Sequence, residues 1–275
     1  MPDTPPTALL QRSDRLPRAI PPAWLLRALA LLLLGVLVQA TPLNRQWLLW
    51  AHGMSLLPDA FWAAMTLLAS GWAGLILVSS ADRGAQGGRA VLLAFGLGGL
   101  LAFGLKALLA LPRPGLVLPE GSLHFIGQPV LHGGSMPSAH ALTALCTASL
   151  WVCLLRQRGG RPGLELLAWA LAALMAGSRI AVGAHWPADV LVGAGLGLAT
   201  GWLCWQAQAR WLRGERWMSP LLPLLVELGA AGAAFAADAG HPPIRGLQWL
   251  LGAWALASAV WRLTAWHSSR NRSMA

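Results

Sequence analysis

The sequence is poor in charged residues and in several polar residue types. Of its 275 residues only 11% are charged, tyrosine is absent, and Lys106 is the single lysine. A soluble domain of this length needs a more polar surface than this composition supplies. The shortage of tyrosine and lysine is typical of genome composition bias and points to no function. The low charge therefore excludes an ordinary soluble globular domain.

Cysteine is also scarce, and no pattern of metal ligands replaces it. Cys146, Cys153 and Cys204 fall inside apolar segments, so they predict packing residues and no disulfide framework. Four histidines lie in predicted outer loops without metal-ligand spacing, and we interpret them as loop residues: His52, His124, His132 and His241. The sequence therefore predicts neither a metal nor another cofactor.

What the chain has in abundance is apolar sequence, since 56% of its residues are hydrophobic. Runs of roughly 20 apolar residues have the length of a helix that crosses a bilayer. We predict eight such spans, at about 24–40, 60–80, 91–111, 137–155, 164–178, 187–205, 220–238 and 247–265. The predicted fold class is all-α, a polytopic transmembrane helical bundle whose partner is the lipid bilayer.

The basic residues behind the net charge of +10 are distributed unevenly between the two predicted sides of the membrane. Fifteen of the twenty basic residues lie in the N-terminal tail, in alternate connections, or around the end of the last span. This positive-inside bias places both termini in the cytoplasm. The expected location is an inner (plasma) membrane of bacterial type. The charge is thus a topology signal, and no nucleic-acid partner is expected. The opposite side keeps only Arg45, Lys106, Arg113, Arg179 and Arg245.

This topology brings four polar clusters to one depth on the outer side. The third and fifth spans end there, and the fourth and sixth begin there. Ionisable residues at membrane depth are costly and are by default candidates for function. In chain order the clusters contain Lys106 with Arg113, Ser138 with His140, Ser178 with Arg179, and His185 with Asp189.

The residue types in these clusters suit chemistry on a phosphoryl group. Arginine presents a planar fork that matches phosphate oxygens, and lysine adds a point charge. Ser138 and its neighbours begin a helix, where free N–H groups and the helix dipole favour an anion. Of two imidazoles, one can attack phosphorus and the other can protonate the leaving oxygen. Asp189 lies four residues after His185, so one helical turn brings its carboxylate near that ring to fix the tautomer.

These residues carry a resemblance to a known family. Lys106…Arg113-Pro114, Pro137-Ser138-Ala139-His140 and Ser178-Arg179…His185…Asp189 resemble, in order and spacing, the motifs K-x6-R-P, P-S-G-H and S-R-x5-H-x3-D. Those motifs are typical of the type 2 phosphatidic acid phosphatase superfamily, which includes vanadium haloperoxidases and bacterial acid phosphatases. The resemblance covers roughly residues 60–205.

The resemblance implies a division of the chain and a reaction. We expect a cytoplasmic tail at 1–22, a six-helix phosphatase core within 23–205, two additional spans within 206–265 and a cytoplasmic tail at 266–275. The implied enzyme is a metal-independent lipid phosphate or diphosphate phosphatase whose site faces the periplasm. Its substrate is undecaprenyl diphosphate, phosphatidic acid or phosphatidylglycerophosphate, the first being slightly preferred on family resemblance.

The resemblance also implies a role for each site residue. His185 forms a phosphohistidine, His140 is the general acid and then the general base, and Asp189 orients His185. Substrate contacts are assigned to Lys106, Arg113, Ser138, Ala139 and Arg179. Ala139 departs from the family pattern, which most often has glycine there; alanine keeps the backbone N–H, and its methyl is tolerated in a right-handed first turn.

Other interpretations stay open at this point. The same phosphohistidine supports phosphotransfer to a lipid such as lipid A, and the same motifs fit a soluble-ester phosphatase, a vanadate enzyme or a non-catalytic transport or assembly protein. Asp189 also suits a helix N-terminus, Ser138 an N-cap and Lys106 a snorkelling position. The segment 112–136 forms either a lip for a lipid tail or an ordinary loop. Glu227, inside the seventh predicted span, is a functional carboxylate or a hydrogen-bonded packing residue.

Overall fold

The regular secondary structure in the described part of the chain is helical throughout. The computed structural model describes residues 23–53, 57–82, 86–211, 221–238 and 240–274. The tail predicted at 1–22 and the basic residues there lie outside these ranges. The predicted all-α fold class is confirmed.

Eleven α-helices and one 3₁₀ turn make up these ranges. They are α1 (Ala23–Gln39), α2 (Leu43–Gly53), α3 (Asp59–Leu68), α4 (Gly71–Ala81), α5 (Gln86–Leu109), α6 (Pro114–Val117), α7 (Ala139–Gln157), α8 (Pro162–Ala181), α9 (Pro187–Trp211), α10 (Leu221–Ala236), the 3₁₀ turn Pro242–Ile244 and α11 (Arg245–Met274).

The helices make this a multi-pass membrane protein, with fewer evident spans than the eight predicted. Among the described residues, α5 (extended to Val117), α7, α8 and α9 are long and apolar enough to cross a bilayer. The bent pairs α1–α2 and α3–α4 raise this number to six if each pair is one span. The count of eight stays a prediction, because α10 has only 16 residues and α11 does not meet the same apolar criterion.

One predicted span and one predicted loop differ from expectation. The span at 60–80 consists of α3 and α4, which are bent by 65°. Ser70 causes this break, since its hydroxyl accepts from Ala73 N (3.4 Å) and begins a new helix. The loop at 41–59 contains α2, bent by 97° from α1. On α2, the Asn44 side chain accepts from Ala188 N (3.1 Å) and thereby caps α9.

Helices α7 and α9 form the centre of the bundle and approach each other closely. Three glycines of α9, four residues apart, lie on the side facing α7. A Cβ added at Gly193 would lie 2.4 Å from Ser138 O, and one at Gly197 would lie 2.1 Å from Leu142 O. At Gly201 it would lie 2.7 Å from Ser149 Cβ. Small residues allow this backbone-to-backbone packing, which places the beginnings of α7 and α9 side by side.

The two C-terminal helices pack on each other and on α4. Glu227 is fully buried and pairs with Arg262, with 2.9 Å between Arg262 Nη2 and Glu227 Oε1. Ser258 Oγ donates to the same oxygen (2.9 Å), and Arg262 also donates to the carbonyls of Ser79 (2.9 Å) and Asp82 (3.0 Å). Glu227 is therefore a hydrogen-bonded packing residue that helps to fasten α10 and α11 to α4.

Candidate active site

The predicted site lies where the beginnings of α7 and α9 meet the end of α8. Ser138 N, at the start of α7, donates to Asp189 O (2.9 Å) in the first turn of α9. His185 N donates to Arg179 O (3.1 Å), which closes the connection from α8 to α9. His140 lies within electrostatic reach of both Arg179 and His185. The clusters that the sequence analysis expected to converge are therefore together.

Asp189 is the most completely enclosed member of the site. Its side chain is fully buried, and its Oδ2 atom accepts from Ser135 Oγ and from Trp186 N (2.9 Å). The same oxygen lies 3.2 Å from His185 Nδ1. Burial of a carboxylate is tolerated when several donors surround it. Two of these contacts hold the carboxylate in place, and the third orients the imidazole.

Arg113 fixes the tautomer of His185. The Nη1 atom of Arg113 lies 3.3 Å from His185 Nε2, and a guanidinium has only donors. Nε2 must therefore accept, which places the ring proton on Nδ1, where it is donated to Asp189. This tautomer keeps the lone pair on Nε2, and attack on phosphorus requires that the hydrogen bond from Arg113 be released first.

His185 lies between α8 and α9, where its ring is 3% exposed. Burial lowers the pKa of the imidazole well below its ordinary value of 6.5, and the positive charges of Arg179, Arg113 and Lys106 lower it further. Each of these causes disfavours the imidazolium. The ring is thus neutral at physiological pH.

Two of the three predicted phosphate-binding cations are held by backbone carbonyls. Lys106 Nζ donates to the carbonyls of Gly134 (2.7 Å) and Ser135 (3.0 Å). Arg113 donates from Nε to His132 O (2.9 Å) and from Nη1 to Ala184 O (2.9 Å). These bonds brace the segment 132–135 against the site. A direct contact of either cation with substrate stays a prediction.

Arg179 differs from the other two cations. It is 5% exposed, and in the described part of the chain its buried Nε has no hydrogen-bond partner. Together with His140 it lines a cavity of about 320 Å³. A buried charge is costly unless it is paired. An arginine in this setting is suited to an anionic ligand.

Ser138 and Ala139 begin α7 as the sequence suggested. Ser138 is the N-cap residue, and its Oγ accepts from Ala141 N (3.4 Å). Ala139 is the first helical residue and does not adopt a left-handed conformation. Its methyl group therefore meets no backbone strain at the position where the family pattern most often has glycine.

Several contributors to the site were missed in the sequence. Ser135 binds Asp189, Asn44 caps α9, and residues 237, 238, 240 and 241 line the cavity that contains Arg179. Ser135 lies two residues before the P-S-A-H motif, which was the one available signal. The segment 112–136 supplies a cavity wall through residues 126–132, so it is more than an ordinary loop.

Two of the loop histidines contact each other in the outer loops. His124 N donates to His52 Nε2 (2.7 Å), and His124 Nε2 lies 2.8 Å from Asp59 Oδ2 at an exposed position. In the ranges that the structure describes, no three His, Cys, Asp or Glu side chains are grouped to hold a metal ion.

Comparison with known proteins gives a family and a fold. Residues 87–213 match the sequence model of the PAP2 superfamily. The crystal structure described as the first transmembrane PAP2 type phosphatidylglycerolphosphate phosphatase from Bacillus subtilis is similar, with a TM-score of 0.50 and 21% identity over 69% of this chain and 99% of that chain. The search of curated proteins gives no match. Residues 87–213, which contain all three motifs, therefore form a segment of the PAP2 superfamily, the type 2 phosphatidic acid phosphatases.

Proposed function

We propose that this protein is a membrane-embedded phosphatase that hydrolyses a phosphate ester or a diphosphate carried by a lipid. One observation carries the proposal: the Nε2 lone pair of the buried, neutral His185 is oriented by Asp189 and Arg113, beside an arginine with an unpartnered Nε. This is the arrangement of an activated nucleophile next to a site for the charge of a phosphoryl group. Family membership and the similarity to a membrane phosphatase support the same reaction class.

In the first step, His185 Nε2 attacks phosphorus. A P–N bond forms, the P–O bond to the leaving lipid alcohol (or, for a diphosphate, to the leaving lipid monophosphate) breaks, and His140 protonates the leaving oxygen. The Nδ1–H of His185 stays hydrogen-bonded to Asp189, which stabilises the positive charge that develops on the ring. Arg179 stabilises the charge on the phosphoryl oxygens.

In the second step, His140 takes a proton from water as the water attacks the phosphohistidine. The new P–O bond replaces the P–N bond, phosphate leaves, and His185 returns to its neutral form. His140 is then protonated and ready for the next substrate. One group therefore serves first as acid and then as base.

The site lies at the headgroup level of the outer leaflet in this proposal, facing the periplasm. The positive-inside distribution supports this orientation, with both termini in the cytoplasm. Undecaprenyl diphosphate, phosphatidic acid and phosphatidylglycerophosphate are the candidate substrates at this depth. The similar Bacillus subtilis protein is described as a phosphatase of the last of these lipids.

The test is phosphate release by the purified full-length protein from these three lipids, with and without a chelator. We expect turnover of at least one lipid that the chelator does not reduce, and an acid-labile phosphoenzyme after rapid quenching. Adding lipid A as an acceptor separates hydrolysis from phosphotransfer, because transfer would yield phosphorylated acceptor in place of free phosphate. Turnover without any phosphoenzyme, or turnover that requires an added metal, would contradict the mechanism.

A further inference from the structure

The cavity next to Arg179 has a wall that comes from outside the family segment. Residues 87–213 supply His140, Arg179 and the segment 126–132, whereas the connection between α10 and α11 supplies Asp238, Gly240 and His241. His241 is close enough to Arg179 for the guanidinium charge to act on its imidazole. The C-terminal helices thus complete the cavity that contains two of the predicted site residues.

This wall is held in a defined position. Gln128 N donates to Gly240 O (3.2 Å), which joins the two loops that face the cavity. Gln248 Nε2 donates to the carbonyls of Ala234 (2.6 Å) and Ala237 (2.7 Å) at the end of α10. Ile244 is buried in an apolar cluster with residues of α3 and of the segment after α8. The position of His241 is therefore set by packing on both sides.

Gly127 fits directly against the His241 ring. A Cβ added at Gly127 would lie 2.3 Å from His241 Nδ1, and the φ angle of Gly127 is +84°, which favours glycine. Within the described residues no side chain or backbone group is hydrogen-bonded to the ring of His241. The ring borders the cavity, and because Nδ1 lies against Gly127, Nε2 is the ring nitrogen available to a bound molecule.

The chemistry of the wall favours an uncharged polar group. Burial and the charge of Arg179 lower the pKa of His241 below its ordinary value, while Asp238 acts in the opposite direction. A neutral imidazole donates one hydrogen bond and accepts one, and the Asp238 carboxylate only accepts. A hydroxyl group satisfies both partners, whereas a second phosphate would meet the negative charge of Asp238.

We infer that His241 and Asp238 form a specificity subsite that binds a hydroxyl of the lipid headgroup next to the phosphate being removed. The inference rests on the proposed function, because it assumes that the phosphate occupies the Arg179 side of the cavity. The favoured substrate class is a glycerol phosphate ester with a free hydroxyl beside the phosphate. A phosphate monoester without that hydroxyl, or a lipid diphosphate, does not form the hydrogen bonds to His241 and Asp238 that would strengthen its binding.

The test compares three lipids on the full-length protein: phosphatidylglycerophosphate, phosphatidic acid with the same acyl chains, and undecaprenyl diphosphate. His241→Phe fills the same space without hydrogen bonds, and His241→Gln restores a donor and an acceptor. His124→Phe is the matched control, since His124 lies in an outer loop and does not line the cavity. Loss of one hydrogen bond corresponds to about a tenfold change.

We expect His241→Phe to lower kcat/KM about tenfold for phosphatidylglycerophosphate and to leave phosphatidic acid within about twofold. His241→Gln should recover part of this loss, and the control should change neither value. An equal loss on all three lipids, a loss confined to the diphosphate, or no change would overturn the inference.

A binding measurement keeps this test separate from the proposed reaction. Dissociation constants of the same lipids are measured with His185→Ala alone and with His185→Ala combined with His241→Phe. We expect the second substitution to raise the dissociation constant of phosphatidylglycerophosphate about tenfold and to leave that of phosphatidic acid nearly unchanged. If the wild-type protein releases no phosphate, the proposed function fails, and these constants still decide whether the subsite exists. Equal constants in the two variants would overturn it.

Discussion

Two buried groups of charges in this protein differ in how completely they are paired. At the α10–α11 end, the Glu227 carboxylate accepts from Arg262 and Ser258, and Arg262 also donates to two carbonyls. At the other group, Asp189 Oδ1 and Arg179 Nε have no hydrogen-bond partner within the described residues. Both groups lie in a membrane protein, where an unpaired charge is costly.

The difference separates a structural role from a functional one. A saturated ion pair has no capacity for a ligand, so Glu227 and Arg262 hold helices together. The incompletely paired group around Arg179 borders a cavity, as the proposed binding of an anion there requires. Pairing therefore distinguishes the two groups better than burial does, because both are buried. The following predictions test this separation, from the largest expected effect on turnover to the smallest.

Substituting the nucleophile should have the largest effect. We expect His185→Ala to reduce phosphate release by roughly 10⁴-fold or more, because loss of a nucleophile removes the covalent route. His267→Ala, at an exposed position of α11, is the control and should keep wild-type turnover. Phosphate release from purified proteins of equal thermal stability is the measurement. Normal turnover of His185→Ala would show that another group attacks phosphorus.

Substituting Arg179, whose Nε has no hydrogen-bond partner within the described residues, should have a smaller effect. We expect Arg179→Gln to lower kcat by about 10²–10³-fold, since a donor to the transition-state oxygens is lost. Thermal stability should stay equal or rise, because the substitution removes a buried charge whose Nε has no partner. Arg156→Gln, which breaks an ion pair with Glu165, is the matched control for turnover. A large loss of stability in Arg179→Gln would contradict the contrast drawn above.

The pH dependence should reflect the environment of His185. Because burial and three cations lower its pKa, the reactive neutral form persists below pH 6.5 and is lost only as the pH falls through the lowered value. The acid limb of kcat/KM should therefore lie below pH 6.5. Measuring two lipid phosphates with different second pKa values tells the titration of the enzyme from that of the substrate. A limb of the profile that is due to the substrate shifts with the lipid, whereas a limb that is due to the enzyme does not. An enzyme limb above pH 6.5 would contradict the assignment.

Breaking the saturated pair should change stability more than turnover. Arg262→Ala leaves the buried Glu227 uncompensated, and loss of one partner of a buried pair costs about 3–5 kcal/mol. We expect a lower unfolding temperature in detergent, with kcat of the folded protein hardly changed. Arg245→Ala, at an exposed position on α11, serves as the control. A folded Arg262→Ala protein with its turnover abolished would place this pair within the catalytic machinery.

Local sequence features predicted the contacts within the site better than its surroundings. The motif residues His185 and Asp189 are four positions apart, so one turn determines their contact, and the structure places them 3.2 Å apart. Family membership was likewise recognisable from motif spacing. Lys106 Nζ donates to the carbonyls of Gly134 and Ser135, and its contact with phosphate stays a prediction. The spacing between Lys106 and Arg113 in the sequence does not predict which backbone oxygens surround the lysine Nζ.

Contacts between segments that are distant along the chain could not be predicted from the sequence. Asn44 and Ala188 are 144 residues apart, and a polar residue in a predicted loop carries no signal that it caps another helix. Apolar length alone suggested one span at 60–80, because hydropathy does not register the bend that Ser70 introduces. The wall formed by Asp238 and His241 depends on how the last two helices pack, and no motif marks that contact.

The glycines that α9 presents to α7 have a consequence for how this enzyme can change. At Gly193 and Gly197 the two helices touch through main-chain atoms, so the spacing between them does not depend on the volume of any side chain at that contact. Drift in the lipid-facing residues of either helix leaves that separation untouched. Substitutions on the outer faces of α7 and α9 can therefore accumulate without moving Ser138 and Asp189, at the beginnings of the two helices, apart.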